Sequence, residues 1–186
     1  MDDALEAFRA SDSADAIRDI GQQAASSLDT SYGHTYNDSY TPMFRKTVGE
    51  ESNFRPVSDQ LFSPLTAAAR AQGADVIRGG EYADSRLTNG RRAVTLGDLL
   101  VFGKDVCKSD IHEELRHLWQ NRTGFNMDIS DEYERALRNE IDAKEYLIEH
   151  ARDLAIPRME TYETTRELEL YQNALEVYLE TGKETL

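Results

Sequence analysis

Apolar positions recur at helical spacing early in the chain, where Ile17, Ile20, Ala24 and Leu28 stand on a polar background and predict an amphipathic helix. From Asp29 to about Gln60 the residues turn to Ser, Thr, Tyr, Asn, Gly and Pro with no period of either kind, which predicts an irregular segment. Ser63-Pro64 then offers an N-cap and a proline for the first helical position, opening a helix through Ala67, Ala68 and Ala69 that should stop at Gly73. Asp75-Val76-Ile77, Arg92 to Leu96 and Leu99 to Phe102 are short β-prone runs, bounded by Gly79-Gly80, Asn89-Gly90 and Gly103. Three helices should follow. The first begins near Ser109 or Asp110 and ends around Arg122 to Gly124. The second runs from about Ser130 to Ala151, capped by Ser130 or Asp131. The third runs from about Glu160 to Thr181 and should bury Leu168, Tyr171, Leu175 and Tyr178, with Pro157 separating the last two.

This order predicts an α+β, mainly α fold in which a small β-sheet or hairpin leads into one helix and then two long ones. Residues 1–60 read as an N-terminal helix and irregular arm, and residues 61–186 as the folded domain. No internal repeat or low-complexity tract interrupts the pattern.

Charge narrows the partners. The 186 residues carry 35 acidic against 21 basic side chains, a net charge of -14, and such a surface repels phosphate backbones and anionic head groups. Neither nucleic acid nor a membrane surface is expected as a partner. No apolar stretch approaches the roughly 20 residues that span a bilayer, and Met1-Asp2-Asp3 is acidic where a secretory signal peptide is basic, so no such signal is expected. Cys107 is the single cysteine. It excludes an internal disulfide framework and a cysteine-rich zinc site, and it reads as core or interface filler before a nucleophile. Any metal must be held by His and carboxylates.

The densest chemistry is His112-Glu113-Glu114-Leu115-Arg116-His117. On a helical wheel at about 100° per residue, Ile111, Leu115, Leu118 and Trp119 share the core-facing side. Glu113 and His117 then lie side by side on one flank that Gln120 continues, with Glu114 between that flank and the apolar face. Two ligands at i and i+4, with a Glu directly after the first, is the spacing by which HExxH binds zinc, and Glu113 here stands where the first His would be. The alternative frame from His112, HExxxH, sets its imidazoles about 140° apart round the helix and fits one ion poorly. A third ligand is predicted on the next helix, where Tyr133, Ala136, Leu137, Ala143 or Lys144, and Leu147 form a stripe through Glu140 and aim its carboxylate inward. Asp142 and Glu145 are weaker substitutes. Glu113, His117 and Glu140 are therefore the expected metal ligands and Glu114 the catalytic general base. The metal, joined by Tyr133, Tyr146 or an arginine, would stabilise an oxyanion, and substrate would lie along the edge of the strand Leu99 to Phe102. A carboxylate-bound iron or manganese pair would need a second E-x-x-H motif, which the chain lacks.

Structural alternatives stand beside each residue. Asp110-x-x-Glu113 can be a capping box, and Glu113 and Glu114 suit the positive end of a helix dipole. His117 and His112 can be exposed or hydrogen-bonded imidazoles, and Glu140 can pair with Arg138, Lys144 or Arg116. His34 and His150 read as loop and helix-surface residues, and Trp119 as core.

The run Ser109 to Gln120, followed by Asn139-Glu140-Ile141-Asp142-Ala143-Lys144-Glu145-Tyr146-Leu147-Ile148, resembles the zincin-like metallopeptidase domains at the C-termini of bacterial polymorphic toxins, with their EExxHxxQ helix and acidic E-x-x-A helix. Thr164-Thr165 through Leu168 to Tyr171 is similar to the helical tail of those domains, and the resemblance covers roughly residues 70–180. It implies a metal-dependent peptidase or amidase holding one divalent ion, with zinc expected and the extra carboxylate tilting the preference toward a harder ion. It further implies a toxin or effector module made in the bacterial cytoplasm, delivered outside the producing cell as part of a larger protein, acting on a protein or peptide and held in check by a cognate immunity protein. The reading from another class is a non-catalytic acidic interaction module on the same helical scaffold.

Overall fold

The computed structural model describes residues 55–186. The expected helix at Ile17 to Leu28 and most of the expected irregular arm lie outside the described residues. Within them the fold is mainly helical with one small three-stranded sheet, the coarse class that the hydrophobic pattern predicts.

Helix α1 spans Asp59–Ala71 and begins a turn before the expected Ser63-Pro64 start. Ser58 is its N-cap, accepting from the Leu61 N–H at 3.3 Å, while Val57 is buried and its N–H donates to the Val106 carbonyl at 2.8 Å. That anchor fixes the helix entry upstream. Pro64 consequently sits inside the helix, where its missing N–H would have bonded the carbonyl of Gln60, an exposed residue whose carbonyl water can satisfy. The helix ends at Ala71 just before Gly73 (φ +85°), as expected.

Strand β1 (Asp75–Arg78) leads into a short helix α2 (Glu81–Arg86) and a 3₁₀ turn at Thr88–Gly90. Strands β2 (Ala93–Leu96) and β3 (Leu99–Phe102) then form a hairpin closed by Gly97-Asp98, with Gly97 at φ +62°. The sheet order is β1-β3-β2, with β3 parallel to β1 and antiparallel to β2. Central position explains the uninterrupted apolar run Leu99-Leu100-Val101-Phe102. Leu100 and Phe102 join Phe62, Ala69, Val106, Ile111 and Leu118 in the main core on one face, while Val101 packs with Ala83 and Val94 on the other. It also overturns the expectation that substrate lies along an edge of Leu99 to Phe102, because that strand is paired on both sides.

Helix α3 (Lys108–Thr123) follows the sheet. Its N-cap is Cys107, whose N–H donates to Asp110 Oδ2 at 2.8 Å, so the capping box lies one turn earlier than the expected Asp110-x-x-Glu113 and leaves Glu113 out of it. Arg92, at the entry to β2, clamps the same Asp110 carboxylate through bonds of 2.8 and 3.0 Å and ties the helix start to the sheet. Glu160 caps the helix from the far side, accepting from the Ser109 N–H at 2.8 Å. Gly124, in the left-handed conformation (φ +67°), ends it.

Helices α4 (Glu132–Glu149, capped by Asp131) and α5 (Arg158–Thr181) form an antiparallel pair around Tyr133, Leu137, Tyr171 and Ala174. Opposite ends meet where Tyr178 donates to Asp131 at 2.7 Å. The buried stripe of α5 differs from the expected one: Tyr171 is shared, but Leu168, Leu175 and Tyr178 are half-buried, whereas Glu160, Thr164, Glu167 and Ala174 lie deepest. The helix is turned so that Glu160 faces α3 and meets the Ser109 N–H, Glu167 faces α4 and meets Lys144, and Thr164 donates back to the Glu160 carbonyl. No helix of the described residues is long and apolar enough to cross a membrane.

Candidate metal centre

Helix α3 lies against β2 on one side and α4 on the other, and the interior between them holds the polar residues that the wheel placed on its flank. Donor atoms of Glu113, His117 and Glu140 lie within 4.8 Å of one another. Glu140 and His117 are buried, Glu113 partly so. Sequence spacing alone could place Glu113 beside His117. The α3–α4 packing adds Glu140, with its Oε1 3.6 Å from His117 Nε2, a charge contact longer than a hydrogen bond.

The imidazole is oriented from behind. His117 Nδ1 lies 2.8 Å from Gln120 Oε1, and Gln120 Nε2 donates to the Asn139 carbonyl at 2.8 Å and to Asp142 Oδ2 at 2.7 Å. With its amide hydrogens committed there, Gln120 presents a carbonyl oxygen to Nδ1. The His117 proton belongs on Nδ1, and in the neutral ring Nε2 carries a lone pair toward Glu140. Burial disfavours a charged ring, but the carboxylates of Glu140, Glu114 and Glu113 outweigh it and raise the His117 pKa well above its ordinary value. Burial likewise opposes ionisation of Glu140, and the charges of His117, Lys144 and Arg91 overcome it and keep that carboxyl below its ordinary range.

Glu114 is anchored to the sheet, and its carboxyl stays within reach of the charges of His117, Glu113 and Glu140. Its Oε2 receives the Thr95 hydroxyl at 2.6 Å. Burial, reinforced by the nearby charges of Glu113 and Glu140 and opposed by His117 and the Thr95 bond, pushes its pKa up to about 7. A carboxyl at that value can both accept and return a proton near neutrality.

Among the structural alternatives, Glu140 meets His117 rather than Arg138 or Arg116: Arg138 pairs with Glu134 at 2.7 Å. Arg116 makes two 2.9 Å bonds to Asp142 and lies over the rings of Trp119 and Tyr146 at 3.9 and 4.6 Å. Asp142 is thereby committed to Arg116 and Gln120, and Glu145 is exposed, so neither substitutes for Glu140. Trp119 is half-buried beneath Arg116 rather than core. Tyr133 is remote from the cluster in function, since its hydroxyl accepts the Thr185 and Leu186 N–H groups.

Two of the other histidines depart from expectation as well, while His34 lies outside the described residues. His150 is buried against Tyr146 with ring centroids 4.6 Å apart, not a surface residue. His112 is neither exposed nor hydrogen-bonded at Nε2, and burial beside Lys108 lowers its pKa to about 4. Cys107 is buried filler, as its lone occurrence suggested.

Two contributors, Thr95 and Glu167, escaped the sequence reading, and a third, Lys144, was expected with another partner. Thr95 comes from β2, and no local signal connects it with Glu114. Lys144 was expected on the inward stripe and as a possible partner of Glu140, yet its buried ammonium lies 2.5 Å from Glu113 Oε1 and 3.0 Å from Glu167 Oε2. Glu167 fell outside the expected apolar face of α5. Burial opposes the charge on Lys144, but the two glutamates raise its pKa well above the ordinary value.

No family model, curated protein or solved structure matches the chain.

Proposed function

We propose that the protein is a metal-dependent peptidase or amidase of the zincin type, acting as a delivered bacterial toxin or effector on a protein or peptide and restrained by a cognate immunity protein. The observation that carries the metal reading is the convergence of donor atoms from Glu113, His117 and Glu140 to within 4.8 Å, with the proton-transfer candidate Glu114 adjacent in sequence. The donor set fits the group: two carboxylates and an imidazole whose Nδ1 is held by Gln120 while its Nε2 faces the Glu140 carboxylate. Zinc is the expected ion, with two carboxylates widening acceptance to harder divalent ions. A bound ion would supply Lewis acidity toward an acyl carbonyl.

The chain's own residues account for the remaining roles. Glu113, His117 and Glu140 hold the ion, and Gln120 fixes the His117 ring. Glu114 accepts a proton from the attacking water and returns it to the leaving amine, with Thr95 holding one oxygen and leaving Oε1 for the transfer. Arg91, whose charge reaches Glu140, is the arginine offered for oxyanion stabilisation. β2 is the edge strand beside this chemistry, so an extended substrate would pair with its outer edge in place of the central β3.

One observation favours a second reading. Glu113 is already paired with Lys144, and Glu140 with His117, so the cluster is charge-compensated as it stands, as a non-catalytic acidic interaction module requires. Elemental analysis of protein purified without chelators separates the two. About one equivalent of divalent ion, lost in Glu113→Ala, His117→Ala and Glu140→Ala, supports the metal centre. A wild type that cannot be loaded with zinc, cobalt or manganese supports the interaction module instead.

A further inference from the structure

Lys144 is an expensive residue to bury. Its ammonium is almost fully enclosed between α3, α4 and α5, and such a group persists only where anions surround it. It has two: Glu113 Oε1 at 2.5 Å on α3 and Glu167 Oε2 at 3.0 Å on α5, with the Tyr171 ring centroid 5.8 Å away. Lys144 follows Glu140 by one helical turn and shares its face of α4, which puts a fixed positive charge beside the proposed ligand set. One oxygen of Glu113 is thereby occupied, and part of its charge is already balanced before any ion arrives. Glu167 opposes this by drawing on the same ammonium from the other side.

We propose that Lys144 and Glu167 form a charge-setting arm of the metal centre that positions Glu113 and determines how tightly, and with what preference, a divalent ion is held. The inference rests on the metal reading of Glu113, His117 and Glu140. Lys144 tempers a carboxylate-rich site so that imidazole chemistry weighs more, favouring zinc over a hard ion such as manganese. Neither residue contacts the ion in this scheme: Lys144 acts through its pair with Glu113 and its charge on Glu140, and Glu167 acts through Lys144. The two substitutions should therefore have opposite signs, which a purely structural role would not produce. Without the Lys144 charge Glu113 is released to the ion and binding tightens, whereas without the Glu167 charge Lys144 is concentrated on Glu113 and binding weakens.

Titration calorimetry of the full chain with zinc and with manganese tests this. Lys144→Met should tighten manganese by about tenfold or more and narrow the zinc-to-manganese ratio, while Glu167→Gln should weaken both ions several-fold, to order of magnitude. Lys144→Arg should keep the wild-type ratio. If Lys144→Met is poorly folded because Glu167 is left unpaired, Lys144→Met with Glu167→Gln removes both charges and should still favour manganese relative to wild type. Variants that bind as wild type does, or single variants that both weaken binding alike, overturn the arm while leaving the metal centre standing. A wild type that takes up neither ion overturns the metal centre and the arm with it.

Discussion

Thr95 of β2 and Glu114 of α3 are joined at 2.6 Å, and the same hydroxyl lies 3.0 Å from the Glu114 main-chain carbonyl. A hydroxyl has one hydrogen and can also accept. When Glu114 is ionised, Thr95 donates to Oε2. When Glu114 is protonated, the carboxyl can donate to Oγ1 and the Thr95 hydrogen turns to the carbonyl. One residue thus serves both protonation states of the proposed general base.

Thr95→Val should therefore raise the Glu114 pKa above about 7, because the Thr95 bond favours the ionised form that burial disfavours. Carboxyl carbon shifts followed by NMR across pH 5 to 9, roughly centred on that value, would register the move. Thr95→Ser should restore the wild-type midpoint. A midpoint unchanged in Thr95→Val would remove Thr95 from the acid-base machinery. With a hydrolysed substrate in hand, the acid limb of the rate profile should shift to higher pH in the same variant.

Metal affinity should climb with pH. The neighbouring carboxylates hold His117 protonated above its ordinary range, and an ion can use Nε2 only after that proton leaves. Over the range in which His117 is protonated, affinity should rise by up to about tenfold per pH unit, with proton release on binding. Calorimetry in buffers of different ionisation enthalpy counts the released protons. Flat affinity between pH 6 and 8, roughly the range below the raised pKa, would contradict His117 as a ligand.

Acid should weaken the fold through His112. Its folded pKa of about 4 lies below the 6.5 of an unperturbed imidazole, so the unfolded chain takes up the proton first. Stability is complete above pH 6.5, falls as pH drops toward 4, and then levels in this contribution. The loss is on the order of 2–3 kcal/mol for a ring that is not wholly enclosed. His112→Phe should flatten that part of the profile in urea unfolding, and an identical slope in wild type and variant would refute the assignment.

Arg116→Met should destabilise the α3–α4 contact by about 2 kcal/mol or more, because it leaves Asp142 without its two-bond partner and uncovers Trp119. Thermal unfolding reads the loss, and Trp119, the single tryptophan, should report the altered surroundings by fluorescence. A melting temperature within a degree or so of wild type would show that the pair is stabilised no better than an exposed one.

The sequence by itself determined the elements whose signals are local. The Leu99 to Phe102 strand, the end of α3 around Arg122 to Gly124, a cap of α4 at Ser130 or Asp131 and the inward aim of Glu140 follow from apolar period and from residues with special backbone or capping chemistry. So did the adjacency of Glu113 and His117, since four residues make about one turn. Tertiary structure alone decided the rest. β3 became central because β1 pairs with it in parallel across an intervening helix, a choice no two-residue periodicity encodes. Thr95 reached Glu114, Glu167 reached Lys144, and Glu140 met His117 in preference to three basic alternatives through contacts between separate elements. Sequence spacing fixes which residues share a face, whereas the polar partner each face meets depends on how the helices rotate and dock, and buried charges settle only where that docking brings an opposite charge within reach.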